Sequence, residues 1–407
     1  MTDIVNRKAG EKMVYKTDFQ DLELSALGFG MMRLPLMPGS KDIDQKTVDE
    51  MVDLAIAGGV KYFDTAAPYH DGFSEIATGK ALSRYPRESY YLADKYPGHQ
   101  IAATYDPKAT FEEQLKKCGV EYFDFYLMHN LNEFSISNYL DPKWGIVDYF
   151  IEQKKLGRIR HLGFSTHGDV PCIERFLDAY GEHMEFCQIQ LNYMDWTLQN
   201  AKSKYEMLTE RGIPVWVMEP VRGGKLAALS EPAAARLKAL RPEESVSAWA
   251  FRFLQGLPNV KMILSGMSSI EQMQDNLKTF QERKTLNEEE MSAVMEIAEE
   301  LKAAVPCTGC RYCVKTCPAH LEIPEIIKIY NEAKFYPSIN LDMKRLALGE
   351  AGKSENCRGC GMCAKLCPQK INIPELMPEM TKAFEKLPSW IQVCKEREAA
   401  AKNAAAK

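Results

Sequence analysis

The sequence predicts an α/β protein in two parts: a closed (β/α)8 barrel of the TIM type, then a small, mostly helical second domain. Two features of the first part predict the barrel. Between Leu22 and Ser265, short apolar runs alternate with amphipathic stretches eight times. The strand-like runs are apolar throughout rather than alternating, which marks parallel strands buried on both faces. Eight such units fit a barrel that typically takes about 250 residues. A doubly wound open sheet is the alternative, but no strand runs through G-x-G-x-x-G into a helix. The second part is announced by Pro306, which breaks the helical pattern of Glu288 to Ala304 just before a cysteine-rich segment. The expected organisation is therefore a mobile segment 1–15, a barrel 16–305, a cysteine-rich domain 306–395 and a tail 396–407.

The elements follow in order. Leu22–Met31 reads as a short hairpin feeding the first buried strand. Strands are then expected at Tyr62–Ala66, Tyr90–Lys95, Phe123–His129, Ile159–Ser165, Phe186–Tyr193, Val215–Met218 and Val260–Ser265. Helical periodicity precedes or links them at Val48–Ala57, Ser74–Ser83, Phe111–Cys118, Ile146–Lys155, Ile173–Tyr180, Lys202–Glu210 and Val246–Leu254. Beyond the barrel, Glu325–Ala333 and Leu341–Leu348 read as helices.

Composition narrows the function. The chain has 407 residues, 45% apolar, with a net charge of −5. A general nucleic-acid-binding surface is not expected from that balance. There is no apolar run of membrane-spanning length and no signal peptide at Met1, so a cytoplasmic protein is expected. Eight of the twelve cysteines form two runs; the others, Cys118, Cys172, Cys187 and Cys394, are scattered and read as reduced packing residues.

The first run is Cys307-x-x-Cys310-x-x-Cys313-x-x-x-Cys317-Pro318, and it recurs 50 residues later as Cys357, Cys360, Cys363 and Cys367-Pro368. The flanks repeat too: Leu-Glu-Ile-Pro-Glu325 matches Ile-Asn-Ile-Pro-Glu375, and Ile-Pro-Glu suits a helix start. Structural zinc usually takes paired C-x2-C clamps, and disulfides need an oxidising compartment. The spacing resembles that of bacterial ferredoxins carrying two 4Fe–4S clusters, in which the fourth cysteine of each run ligates the other cluster. The resemblance implies one cluster on Cys307, Cys310, Cys313 and Cys367, and a second on Cys357, Cys360, Cys363 and Cys317.

Catalytic groups of such barrels sit at the carboxyl ends of strands. Those positions hold Asp64, Lys95 and His129, with Tyr69 in the loop behind Asp64. Singly, each has a plain structural use: a helix cap, a solvated lysine, a rim aromatic, a core histidine. Together, Phe63-Asp64-Thr65-Ala66, Tyr69 and Gly72-x-Ser74-Glu75, followed by Lys95 and His129, resemble the aldo/keto reductases over Phe19 to Glu282. That resemblance implies an enzyme that reduces a small carbonyl compound, or oxidises the alcohol, in which Tyr69 is the acid. Lys95, held by Asp64, is expected to lower the Tyr69 pKa, and His129 to orient the carbonyl.

The same resemblance implies NAD(P)H. Ser165 and Gln188 are expected at the nicotinamide amide. The turn Ser265, Gly266, Met267 and Ser268 enters a helix and is expected at a phosphate; Gln272 and Asn276 are expected at the adenosine half. Thr166 stands where many relatives have Asn, and Met218 where many have a stacking Tyr. No basic pair follows Ser269, leaving NADH against NADPH open. A flavin phosphate would suit the same turn, and a flavin would match one-electron clusters to two-electron hydride chemistry. A ferredoxin or flavodoxin is the expected redox partner. The rival is an electron-transfer protein whose barrel is degenerate or flavin-binding.

Overall fold

A computed structural model describes residues 12–100, 104–133, 135–302, 305–335, 339–392 and 395. Internal contacts divide the chain into two units, 1–297 and 298–407.

The first unit opens with an antiparallel hairpin, β1 (Lys16–Phe19) and β2 (Leu22–Ser25). Eight parallel strands then close into a barrel: β3 (Leu27–Gly30), β4 (Tyr62–Asp64), β5 (Tyr91–Tyr96), β6 (Phe123–Leu131), β7 (Ile159–Thr166), β8 (Cys187–Gln190), β9 (Val215–Met218) and β10 (Val260–Ser265). Neighbours pair in sequence order and β10 closes on β3, so the predicted barrel is the observed one. The hairpin's Phe19 and Leu24 join Tyr62, Phe125, Phe186, Trp216, Met262 and Leu264 in one apolar cluster. Phe19 meets Trp216 edge-on at 4.8 Å. Gly28 leaves room for its neighbours: a Cβ there would stand 2.6 Å from a Leu264 methyl and 2.8 Å from the Met262 sulfur, and both side chains would have to shift.

Several boundaries differ from the sequence reading. Most of 1–15 lies outside the described residues, but Val14 is buried, and Tyr15 stacks on Phe280 at 5.9 Å. Their backbone N–H groups donate to Gly58 and Phe280 carbonyls, so these two residues are anchored rather than mobile. Strand β8 stops at Gln190, short of the expected Tyr193. Asn192 accepts the Asp195 N–H at 2.8 Å and turns the chain into a short helix, Asp195–Leu198. An unexpected helix, Glu231–Leu240, starts with Pro near its first turn and runs through alanines with little amphipathic pattern.

The second unit repeats as its sequence does. Single helical turns Tyr312–Lys315 and Met362–Lys365 carry the third cysteine of each run, and longer helices Ile323–Phe335 and Ile373–Phe384 follow the fourth. Helix Ile339–Ala347 lies between the repeats. The buried core pairs equivalent positions: Leu321 with Ile371, Ile323 with Ile373, Ile327 with Met377, Tyr330 with Met380. Cys394 and the tail 396–407 lie outside the described residues. Among the described residues no helix is long and apolar enough to cross a membrane.

Candidate active site and cysteine sites

Strand ends bring Asp64, Lys95 and His129 to one mouth of the barrel, and a turn at Tyr69–Gly72 adds Tyr69. Lys95 is fully buried. Its Nζ donates to Asp64 Oδ1 at 2.5 Å and to the Thr65 carbonyl at 2.7 Å. The same ammonium lies 4.8 Å from the centre of the Tyr69 ring. Tyr69 in turn meets the His129 ring edge-on at 5.8 Å. All four predicted residues therefore converge.

The residues around them explain the rest of the Asp64–Glu75 stretch. The Ser74 hydroxyl donates to the Met31 carbonyl at 2.8 Å and lies 2.9 Å from the Thr65 hydroxyl, tying the helix start to two strand ends. Glu75 is buried and pairs with Lys117 at 3.2 Å. It also accepts from Gln114 Nε2 at 3.1 Å; that amide reaches the Lys95 carbonyl at 3.0 Å. Tyr139 O–H donates to the His129 carbonyl at 2.6 Å, fixing the strand within a register shift between Met128 and Leu131.

Electrostatics corrects one expectation. The Tyr69 phenol is pushed well above its ordinary value, not lowered. The ring is half-buried, yet desolvation is the largest cause, followed by the carboxylates of Asp64, Glu219 and Asp94, with Arg33 opposing. The Lys95 charge is engaged by Asp64 and the Thr65 carbonyl and does not offset them. His129 is held well below its usual value by burial first, then by His99, Lys95 and His167. Burial raises the Asp64 carboxyl and Lys95 pulls it back. The mouth thus holds a protonated phenol beside a neutral imidazole. His99 flanks His129, ring centres 4.7 Å apart, and the sequence reading missed it.

The expected cofactor residues divide. Ser165 on β7 and Gln188 on β8 are paired neighbours across the sheet, both buried. Ser165 Oγ accepts the Asn130 N–H at 2.9 Å. Gln188 Oε1 is buried with no partner among the described residues. Ser269 caps the helix Ile270–Thr279. Ser268 N–H donates to Gln272 Oε1 at 2.8 Å, and Ser268 O–H to the Arg33 carbonyl at 2.6 Å. Asn276 is buried against Ser265 Oγ at 2.8 Å, and the Met267 side chain is buried. Gln272 remains exposed beside the turn.

In the second unit, Cys317 from the first run lines one pocket with Cys357, Cys360 and Cys363. The Cys313 thiol is pushed up by burial first and then by Cys310, Cys307 and Cys367. Each neighbourhood thus brings a cysteine of one run close to three of the other. Gly309, Gly359 and Gly361 have φ of 71°, 64° and 76°, the left-handed backbone that lets these loops turn back on themselves. Gly309 N–H donates to Cys307 Sγ at 3.4 Å. Among the described residues no three such side chains close on a single metal ion. The crowded thiols suit a larger, positively charged iron cage.

A parallel eight-stranded barrel with an Asp, Tyr, Lys and His at its mouth defines the class of the first unit. The model of the aldo/keto reductase family matches residues 26–299, and the chain belongs to that family. A 4Fe–4S dicluster domain model matches residues 306–371. The chain is thus an oxidoreductase with an iron–sulfur domain. The NADH-specific methylglyoxal reductase of Escherichia coli (strain K12) is 24% identical over 69% of this chain and 97% of that protein. L-galactose dehydrogenase of Arabidopsis thaliana is 25% identical over 69% of this chain and 92% of its own. An aldo-keto reductase from Bacillus halodurans in holo form shares the fold, with a TM-score of 0.55 at 23% identity over 70% of this chain and 96% of that one. So does one from Klebsiella pneumoniae in complex with NADPH, with a TM-score of 0.55 at 20% identity over 71% of this chain and 95% of that one.

Proposed function

We propose that this protein reduces a small carbonyl compound, or oxidises the corresponding alcohol, with NAD(P)H, and exchanges electrons through two 4Fe–4S clusters. The observation that carries the first half is the buried Lys95 ammonium, bonded to Asp64 and Thr65 beneath the Tyr69 ring. A carbonyl oxygen that gains negative charge needs a proton at that point. Tyr69 keeps its proton and donates it. His129, neutral, orients the carbonyl by a hydrogen bond. Lys95 places positive charge beside the developing alkoxide without leaving Asp64.

The nicotinamide, when bound, supplies the hydride. Gln188 Oε1, buried and unmatched, is a ready acceptor for a carboxamide N–H, and Ser165 keeps its hydroxyl proton to donate. The Ser265–Ser268 turn and exposed Gln272 would hold the phosphates and adenosine. Asn276 would act through Ser265. The relatives' names include NADH, and a structural neighbour holds NADPH, so both remain cofactors of this reading.

For the clusters, Cys307, Cys310, Cys313 and Cys367 form one ligand set, and Cys357, Cys360, Cys363 and Cys317 the other, supported by the pocket that Cys317 shares. A 4Fe–4S centre passes one electron and hydride carries two. Coupling the halves therefore calls for a bound flavin or a substrate that accepts single electrons, and a ferredoxin or flavodoxin is a fitting external partner. Adding NADH or NADPH to flavin-free, oxidised protein without substrate should leave the cluster absorbance unchanged; prompt bleaching would remove the need for such a bridge.

The central test is Tyr69→Phe, expected to lower carbonyl reduction about a hundredfold or more with iron content unchanged. Full activity in that variant would leave the mouth without its acid, and the reading with it.

A further inference from the structure

Tyr69 lies on an unusual stretch of backbone. His70, Asp71 and Gly72 follow it with φ of 49°, 56° and 94°, three successive left-handed residues. Only glycine takes that region without cost, and such a turn persists only where its surroundings hold it. The side chain of His70 does the holding. Its Nε2 accepts the Leu34 N–H at 3.0 Å. That nitrogen accepts only in the imidazole that carries its proton on Nδ1 and not on Nε2. Burial keeps the ring on the neutral side of its ordinary value, while Asp71 and the Met32 backbone oppose this.

The segment that His70 grips is itself pinned. Met31 carbonyl accepts from Ser74, and Arg33 carbonyl from Ser268. The Arg33 guanidinium pairs with Glu219 at 3.1 Å. Met31–Leu34 thus forms a fixed rail along the mouth; Ser74 fastens the start of the following helix to it, and His70 fastens the Tyr69 turn itself.

We propose that His70 is a positioning residue: by accepting the Leu34 N–H it fixes the strained turn that aims the Tyr69 hydroxyl at the carbonyl oxygen. This rests on Tyr69 being the acid.

Three variants test it by steady-state kinetics in H2O and D2O. His70→Gly removes the clamp but relieves the left-handed strain, so folding is retained. It is expected to lower kcat about tenfold or more, the scale on which slight misplacement of a reacting group acts. KM for NAD(P)H should change less, and the solvent isotope effect should rise as proton donation becomes limiting. His70→Gln, which keeps one acceptor and one donor, should recover most of kcat. Tyr69→Phe, run alongside, separates the two ideas. If it is inactive while His70→Gly has normal kcat and isotope effect, the positioning role is wrong and the acid stands. If Tyr69→Phe is fully active, both fall. A loss in His70→Gly that His70→Gln does not repair, with an unchanged isotope effect, would also overturn the clamp.

Discussion

The barrel mouth and the cysteine unit assemble their groups by opposite means. At the mouth, Asp64, Tyr69, Lys95 and His129 come from three strands and a loop, and nothing joins them until β4, β5 and β6 are paired. In the second unit, Cys307, Cys310 and Cys313 already share one loop, and in the proposed ligand set only Cys367 comes from the other repeat. The mouth also places a charge where water is excluded, whereas Cys360 is exposed. Damage to the mouth should therefore appear as lost folding energy and lost rate, and damage to the cysteines as lost iron, with little crossing between them.

Lys95→Met should produce the largest effect. It leaves the Asp64 carboxylate buried, with its Oδ2 already lacking a partner among the described residues. Breaking a buried pair from one side costs about 3–5 kcal/mol, and replacing both charges restores much of it. Urea unfolding followed by tryptophan fluorescence should show that loss, and Lys95→Met with Asp64→Asn should recover more than half. Iron per chain should stay constant. An additive double variant would mean that the pair is not a unit, and a loss of iron would break the separation between the two parts.

Cys317→Ala is the corresponding test in the other unit. Iron should fall from about eight to about four atoms per chain under anaerobic purification. The affected cluster should be the one held by Cys357, Cys360 and Cys363, the thiols that share its pocket. Loss of the cluster held by the first run instead, detected by combining Cys317→Ala with Cys310→Ser, would refute the crossed ligation.

What was legible in the sequence follows the same division. Cluster cysteines are set by spacing within a loop, so Cys307 to Cys317 announce themselves. The tetrad was legible because parallel strands deliver their carboxyl ends to one mouth, and Asp64, Lys95 and His129 each end an apolar run. The His70 clamp was not, because it depends on a left-handed turn and on a bond to Leu34, neither of which leaves a pattern. Asn276 was assigned outward, toward adenosine; its bond to Ser265 appears only once β10 and the following helix are packed. Helix Glu231–Leu240 escaped because an alanine run carries little amphipathic signal.

The direction of the Tyr69 shift was misjudged for a physical reason, and pH dependence should expose it without any substitution. A lysine near a phenol lowers its pKa when its charge is free. Here Asp64 and the Thr65 carbonyl take up that charge, and desolvation with Asp64, Glu219 and Asp94 raises the phenol instead. Reduction requires the protonated phenol and the neutral imidazole. The phenol loses its proton only above its ordinary ~10, and His129 gains one only below its ordinary ~6.5. Carbonyl reduction should therefore be flat from about pH 6.5 to about pH 10. Alcohol oxidation needs the phenolate, whose fraction rises about tenfold per pH unit while the group stays mostly protonated. Oxidation should climb across that range without levelling, under conditions where chemistry limits the rate. A plateau in oxidation near pH 8, absent from Tyr69→Phe, would show that the Lys95 charge reaches the phenol after all.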